Sequence, residues 1–160
     1  MKDLEGLFKH FVKDIYYAEK QVLKTLPKMA RKATSEDLRE AFDHHREETE
    51  GHIETLEKVF ELMGLKPRGV TCEAIDGILE EGKEIMEEAE AGEARDAGMI
   101  AAAQAVEHYE ITRYGTMISW ARTLGMSDAA DLLQQTLDQE YAADDKLTQL
   151  AEGTLNREAA

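Results

Sequence analysis

The stretch DIYYAEKQVLKTLPKMARKATSEDLREAFDHHREETEGHIETLE, residues 14–57, decides the fold. Apolar side chains recur at helical spacing on both sides of a polar break at residues 33–37, which is the pattern of two amphipathic helices joined by a tight turn. Thr34 and Ser35 supply an N-cap ahead of the acidic first turn Glu36 and Asp37, so the second helix begins there. Reflecting residue 19 about the turn at residues 33 and 34 gives residue 48, because an antiparallel hairpin rises equally per residue on both arms. Glu19 and Glu48 are thereby expected in one layer.

Working outward, the first helix is expected over about residues 3–32, with Phe8, Val12, Ile15, Glu19, Val22, Leu26 and Ala30 on one face. Pro27 lies inside it, at a place where a helix can kink. The second helix reaches about residue 63, where Gly64 stops it. A loop with Pro67 and Gly69 follows, then a short amphipathic helix over about residues 72–91. A third long helix spans about residues 94–124, Gly125 closes it, and Ser127 and Asp128 cap a fourth that runs to about residue 151. Residues 1–152 form one domain, and the tail 153–160 is expected to fray. Two tight hairpins joined by one long crossover make an all-α, ferritin-like four-helix bundle with an extra short helix in the crossover.

Composition agrees with a helical domain and narrows its partners. The chain has 160 residues, two prolines, 42% hydrophobic and 33% charged side chains, enough for one real core. Thirty-four acidic against 19 basic residues give a net charge of -15, which repels nucleic-acid phosphates and anionic lipid heads, so neither is expected as a partner. No apolar run approaches a bilayer span. The single cysteine, Cys72, has no internal disulfide partner, and the opening MKDLEGLFKHFVKD is too charged for a secretory signal, so a cytoplasmic location is expected.

Projection at about 100° per residue separates inward acids from solvated ones. Glu19 falls at the apolar centre of the first helix. On the second, His45 and His52 point inward, Glu48 lies at the stripe's edge and Glu47 points away. On the third, Glu110 is central with Glu107 on its flank, while His108 projects outward. Glu140 and Asp144 share a face of the fourth, and reflecting Glu110 about Met126 lands between them. Any one such acid is ordinarily a solvated surface residue, but four helices contributing at two matched heights is a constellation. Buried carboxylates are costly unless paired with cations or metal. A salt-bridge network through Arg113, His45 and His52 is the rival; about two divalent cations balance such a cluster better than one arginine does at low dielectric. Oxygen-rich ligands with imidazole suit iron or manganese, and zinc's sulfur-rich structural sets are absent. The expected ligands are Glu19, His45, Glu48, Glu107, Glu110, Glu140 and Asp144, with Glu110 bridging two ions.

Other features have plainer readings. The five tyrosines are expected to pack at helix interfaces and the methionines to fill core gaps. Cys72 opens the crossover helix, where the helix dipole favours a thiolate and burial opposes it. Ile100, Ile111 and Ile118 form a second apolar stripe on the third helix, to be covered by the crossover helix or by a second subunit, which makes a homodimer plausible.

The segments DIYYAEKQ, HHREETEGHIETLE, RDAGMIAAAQAVEHYEITRYGT and LLQQTLDQEYAADDKLTQLA resemble the YciF-type stress-protein family of the ferritin-like superfamily, with EHYE and AAAQ the most specific marks. The resemblance implies a helical bundle, usually dimeric, with a di-metal centre and a stress association, and it implies no particular reaction. Di-iron carboxylate proteins of this superfamily draw one Glu from each of two helices and Glu-x-x-His from each of the other two. This chain departs from that pattern, having no such histidine on its third or fourth helix. The expected function is a di-metal carboxylate protein, holding two iron ions per chain or manganese in their place, with a redox or oxygen-related role and O2 or peroxide as the small oxidant. The alternative is a non-enzymatic acidic bundle for metal storage or protein interaction.

Overall fold

The computed structural model describes residues 1–160, and every regular element in it is helical. The helix α1 spans Leu4–Lys32, α2 Glu36–Leu62, α3 Glu73–Glu88, α4 Glu93–Thr123, α5 Ser127–Leu150 and α6 Asn156–Glu158, with a π-helical turn at Ala151–Leu155. Local chemistry sets the boundaries. Asp3 caps α1 by accepting from the Gly6 amide at 2.8 Å, and Ser35 caps α2 by accepting from Leu38 at 3.3 Å. Gly64 and Gly125, at φ 66° and 74°, adopt the left-handed conformation that ends α2 and α4.

The α1–α2 and α4–α5 hairpins pack face to face: α2 lies against α5 and α1 against α4, while α3 lies on the outside against α4 and α1. Phe8, Phe42, Leu56, Phe60, Met117 and Leu133 are fully buried where the four long helices meet. Gly98 and Gly82 let α3 and α4 touch closely. A Cβ at Gly98 would stand 2.6 Å from Cγ2 of Ile85, and one at Gly82 would stand 3.2 Å from Cβ of Ala102. α3 thus packs over the N-terminal half of α4, and of the second apolar stripe Ile100 and Ile118 are buried within the single chain while Ile111 is half-buried.

The turn between α1 and α2 is tied to α4 by a buried carboxylate. Asp96 accepts from the backbone amides of Thr34 at 2.9 Å and Ser35 at 2.6 Å, and Arg95 donates to the Lys32 carbonyl at 2.6 Å. Both hairpins are therefore locked at the height that aligns their centres. Asp96→Asn puts an amide NH2 against one of these donors, so we expect a loss of about 1–3 kcal/mol, read as a fall of several degrees in thermal midpoint with unchanged helix content.

Two local expectations are corrected, and the buried reading of Cys72 holds. The α5 N-cap is Met126, and neither Ser127 nor Asp128 caps: the Met126 amide donates to the Ala121 carbonyl at 2.8 Å, a turn so tight that Ser127 is already helical. The tail does not fray at residue 153; helix continues to Glu158 because Ala151 and Leu155 are buried, and this segment packs on α4. Cys72 is buried, its Sγ 2.9 Å from the Tyr109 hydroxyl, and burial pushes its thiol pKa up, so the desolvation penalty outweighs the helix dipole.

Candidate metal centre

Each long helix contributes to one buried polar cluster at mid-height. α1 brings Glu19, α2 brings His45 and His52, α4 brings Glu107 and Glu110, and α5 brings Glu140. The spacings follow helical geometry: seven residues separate the two histidines, about two turns, and three separate the α4 acids, so each pair shares a face. Glu19, Glu110 and Glu140 are 0% exposed. Facing donors gather into two groups, each with its ligand atoms within 4.8 Å of one another. One is His45, Glu107, Glu110 and Glu140; the other is Glu19, His52 and Glu140. Glu140 belongs to both.

The shortest approaches join imidazole to carboxylate. His45 Nε2 lies 2.9 Å from Glu107 Oε1 and 3.8 Å from Glu140 Oε2, and His52 Nδ1 lies 2.8 Å from Glu140 Oε1 and 3.4 Å from Glu19 Oε1. These approaches are short, yet none is aligned as a hydrogen bond. Of eleven buried side-chain nitrogen and oxygen atoms without a hydrogen-bond partner, nine belong to Glu19, His45, His52, Glu107, Glu110 and Glu140. Such a concentration of orphaned atoms is the mark of a site shaped for something other than mutual hydrogen bonding. Four carboxylates and two imidazoles fit a pair of divalent first-row cations in donor type and in charge. Two outer contacts orient the ligands: His52 Nε2 meets Gln139 Oε1 at 2.8 Å, and the buried Tyr114 hydroxyl donates to Glu19 Oε1 at 2.5 Å.

Electrostatics describe how the metal-free protein tolerates the cluster. Burial, followed by the charges of Glu140, Glu19 and Glu107, raises the Glu110 carboxyl well above its ordinary value. Burial and the adjacent Glu107 raise Glu140 to about 7. Burial alone would depress the histidines, but neighbouring carboxylates outweigh it: His52 rises to about 11, chiefly through Glu19, and His45 rises well above its usual value through Glu107. Protonated Glu110 and imidazolium at His45 and His52 are the compensation for burying four acids.

Among the sequence-predicted ligands, Glu19, His45, Glu107, Glu110 and Glu140 converge, and two do not. Asp144 faces away, its Oδ1 accepting from Gln104 at 3.2 Å and its Oδ2 lying 3.1 Å from exposed His108. It is one turn past Glu140 and one methylene shorter, so it ends between α4 and α5 near solvent. Glu48 belongs to neither group. Its carboxylate stands at the wall of a cavity of about 410 Å³ that opens between α2 and α5 and reaches His45 and Glu107. Glu140, and not Glu110, is the carboxylate common to the two groups. Arg113 does not pair with Glu110, since its guanidinium stacks over Phe11 at 4.4 Å and Tyr109 at 5.1 Å. Sequence reasoning placed His52 on the inward stripe without a role, and it treated Tyr114 as packing. The heptad spacing from His45 was the available signal for His52; none marked Tyr114.

Known proteins match the chain in sequence and in fold. A family model described as a domain of unknown function, DUF892, matches residues 3–160. The chain is 47% identical to Protein YciF of Escherichia coli (strain K12) over 160 residues, covering 99% of this chain and 96% of that protein. The crystal structure of the E. coli stress protein YciF superposes with a TM-score of 0.93 at 47% identity, covering 98% of this chain and 99% of that one. The structure of YcfI from Rhodopseudomonas palustris superposes at 0.89 with 48% identity, covering 92% of this chain and 94% of that one.

Proposed function

The chain belongs to the DUF892 family, and from that premise we propose that it is a ferritin-like four-helix carboxylate protein that holds two metal ions per chain in a redox or oxygen-related stress role. The observation that carries this reading is the set of nine orphaned ligand atoms arranged as two groups sharing Glu140. His45, Glu107, Glu110 and Glu140 would hold one ion, and Glu19, His52 and Glu140 the other. The ligand inventory equals the four carboxylates and two imidazoles of di-iron carboxylate bundles, with both imidazoles moved onto one helix. The ions, iron first and manganese second, would supply one-electron chemistry toward O2 or peroxide. The chain's own part is to hold and to exclude. Tyr114 holds Glu19 Oε1, the oxygen that also lies 3.4 Å from His52 Nδ1, while Oε2 stays buried without a partner, and the surrounding apolar side chains keep bulk water from all but the cavity side. The description of its relative YciF as a stress protein supports a protective role. A cytoplasmic homodimer completes the proposal; no helix is long and apolar enough to cross a membrane.

The short imidazole–carboxylate approaches favour a second reading, a metal-free ion-pair network inside a non-enzymatic bundle. Anaerobic titration with Fe(II), followed by elemental analysis after desalting, separates them. About two ions per chain are expected of a paired carboxylate site; uptake below about half an ion at excess iron supports the ion-pair network. Turnover of O2 or peroxide by the loaded protein, compared with the metal-free protein, then separates an oxidant-consuming site from storage.

A further inference from the structure

The cavity between α2 and α5 places acid along the whole way from solvent to the buried cluster. Asp37, Glu40, His44 and Glu48 line its α2 side, and orphaned atoms of His45 and Glu107 face its inner end. Glu48 stands between outside and inside. One carboxylate oxygen lies 2.8 Å from Nε2 of His44, whose side chain is 71% exposed, and the other lies 3.5 Å from Nδ1 of His45, whose side chain is 8% exposed. Its own side chain is 16% exposed. On the opposite wall, Ala142 and Ala143 of α5 and Ala103 of α4 are the residues that leave the passage open.

We propose that this cavity is the path by which divalent cations reach the buried cluster, and that Glu48 with His44 forms a transient cation site which hands the ion to His45 and Glu107. The inference rests on the two-ion reading above and gives Glu48 a different job from the resident ligands. A carboxylate whose two oxygens face an exposed and a buried imidazole is able to exchange one donor for the other while the ion stays coordinated throughout. Of the six cluster residues, Glu19, His52, Glu110 and Glu140 do not line the cavity, and His45 and Glu107 do. The four acids of the wall, Asp37, Glu40, Glu48 and Glu107, outnumber Lys146 and the imidazolium of His45, which gives up its proton as the ion arrives, so the passage attracts positive ions and repels anions.

Stopped-flow uptake of Fe(II) under anaerobic conditions, with final metal content measured on the same samples, tests this. Glu48→Gln removes the charge and most of the affinity of the transfer group. Its uptake is expected to slow by about tenfold or more, in line with the gain in association rate that a charged cleft supplies, while the final content stays at the wild-type level. Ala143→Leu narrows the passage without touching a ligand and is expected to slow uptake with the same final content. Glu47→Gln, on the exposed face of α2, is expected to match wild type. Wild-type rates in both Glu48→Gln and Ala143→Leu, at full occupancy, overturn the path alone. A final content reduced by Glu48→Gln in proportion to a lost ion makes Glu48 a resident ligand and also overturns the transfer role. Failure of the wild type to take up iron overturns the path and the two-ion reading together.

Discussion

Glu140→Gln is expected to take the iron content of anaerobically loaded protein from about two ions per chain to below about half an ion. Glu140 is the single side chain present in both ligand groups, with Oε1 near His52 and Oε2 near His45, so neutralising it weakens both positions at once. Glu19→Gln provides the contrast. Glu19 belongs only to the group with His52, and its loss is expected to leave the ion at His45, Glu107 and Glu110 largely bound. The two variants therefore differ in stoichiometry. Equal losses from both, or retention of two ions after Glu140→Gln, would remove Glu140 from the shared position. Circular dichroism on both metal-free proteins checks that the helices persist, and neutral amides at these buried positions keep the side-chain volume.

The second large effect is the opposite pH response of the metal-free and metal-loaded proteins. Glu110 and Glu140 have folded pKa values above their ordinary 4.5, so folding favours their protonated forms; the stability they contribute is present below 4.5 and is lost as pH rises, for Glu140 through about 7. His45 and His52 are also raised, so their contribution is complete below 6.5 and is lost as pH rises toward their folded values, about 11 for His52. All four act in the same direction between pH 5 and pH 8. Glu48 acts oppositely, because burial alone would raise it but His45 holds it below its ordinary value, and its contribution is lost as pH falls below 4.5. The thermal midpoint of metal-free protein is therefore expected to peak near pH 5 and to fall by pH 8. Adding Mn(II) or Fe(II) at neutral pH is expected to restore it, since ligand in 100-fold excess over Kd stabilises by about 2.7 kcal/mol.

Glu110→Gln sharpens this test. In the metal-free protein at pH 7, the raised pKa of Glu110 means that folding favours uptake of a proton that the unfolded chain has released, which costs stability. The amide has no such cost, so the variant is expected to be more stable than wild type at pH 7, to match it near pH 4.5, and to gain less from Mn(II). A variant that is less stable at pH 7 and responds normally to Mn(II) would make Glu110 a partner in a structural ion pair.

Much of this centre is legible along the chain because helical periodicity is a local property. Glu19 at the apolar centre of α1, Glu110 at that of α4 and the two hairpins across one crossover all follow from spacing, but the reflection that set Glu19 level with Glu48 misses by one turn, because Glu19 Oε1 meets His52 Nδ1 at 3.4 Å. The legibility ends where two polar residues share a face. His45 and His52 lie about 20° apart in projection, with Glu48 at the stripe's edge within about 60° of both, so projection orders the three but leaves open which of them meets the acids of the other helices. The rotation of α2 against α4 and α5 turns both imidazoles inward and leaves Glu48 at the cavity wall.

The same division holds on α5 and α4. Glu140 and Asp144 are about 40° apart, and only the placement of Gln104 and His108 on α4 shows that Asp144 is engaged outside the cluster while Glu140 is sealed within it. Tyr114 had no sequence signal at all, because its role is a hydrogen bond to Glu19, 95 residues away. Sequence by itself determined the helices, their hairpins, the inward acids of α1, α4 and α5 and the inward imidazoles of α2, since those depend on neighbours within one or two turns. Tertiary structure alone decided that Glu140 lies in both donor groups, that His52 meets Glu19 and Glu140, and that Glu48 and Asp144 lie in neither group, since a few tens of degrees of helix rotation and one methylene of reach separate the centre of the cluster from its rim.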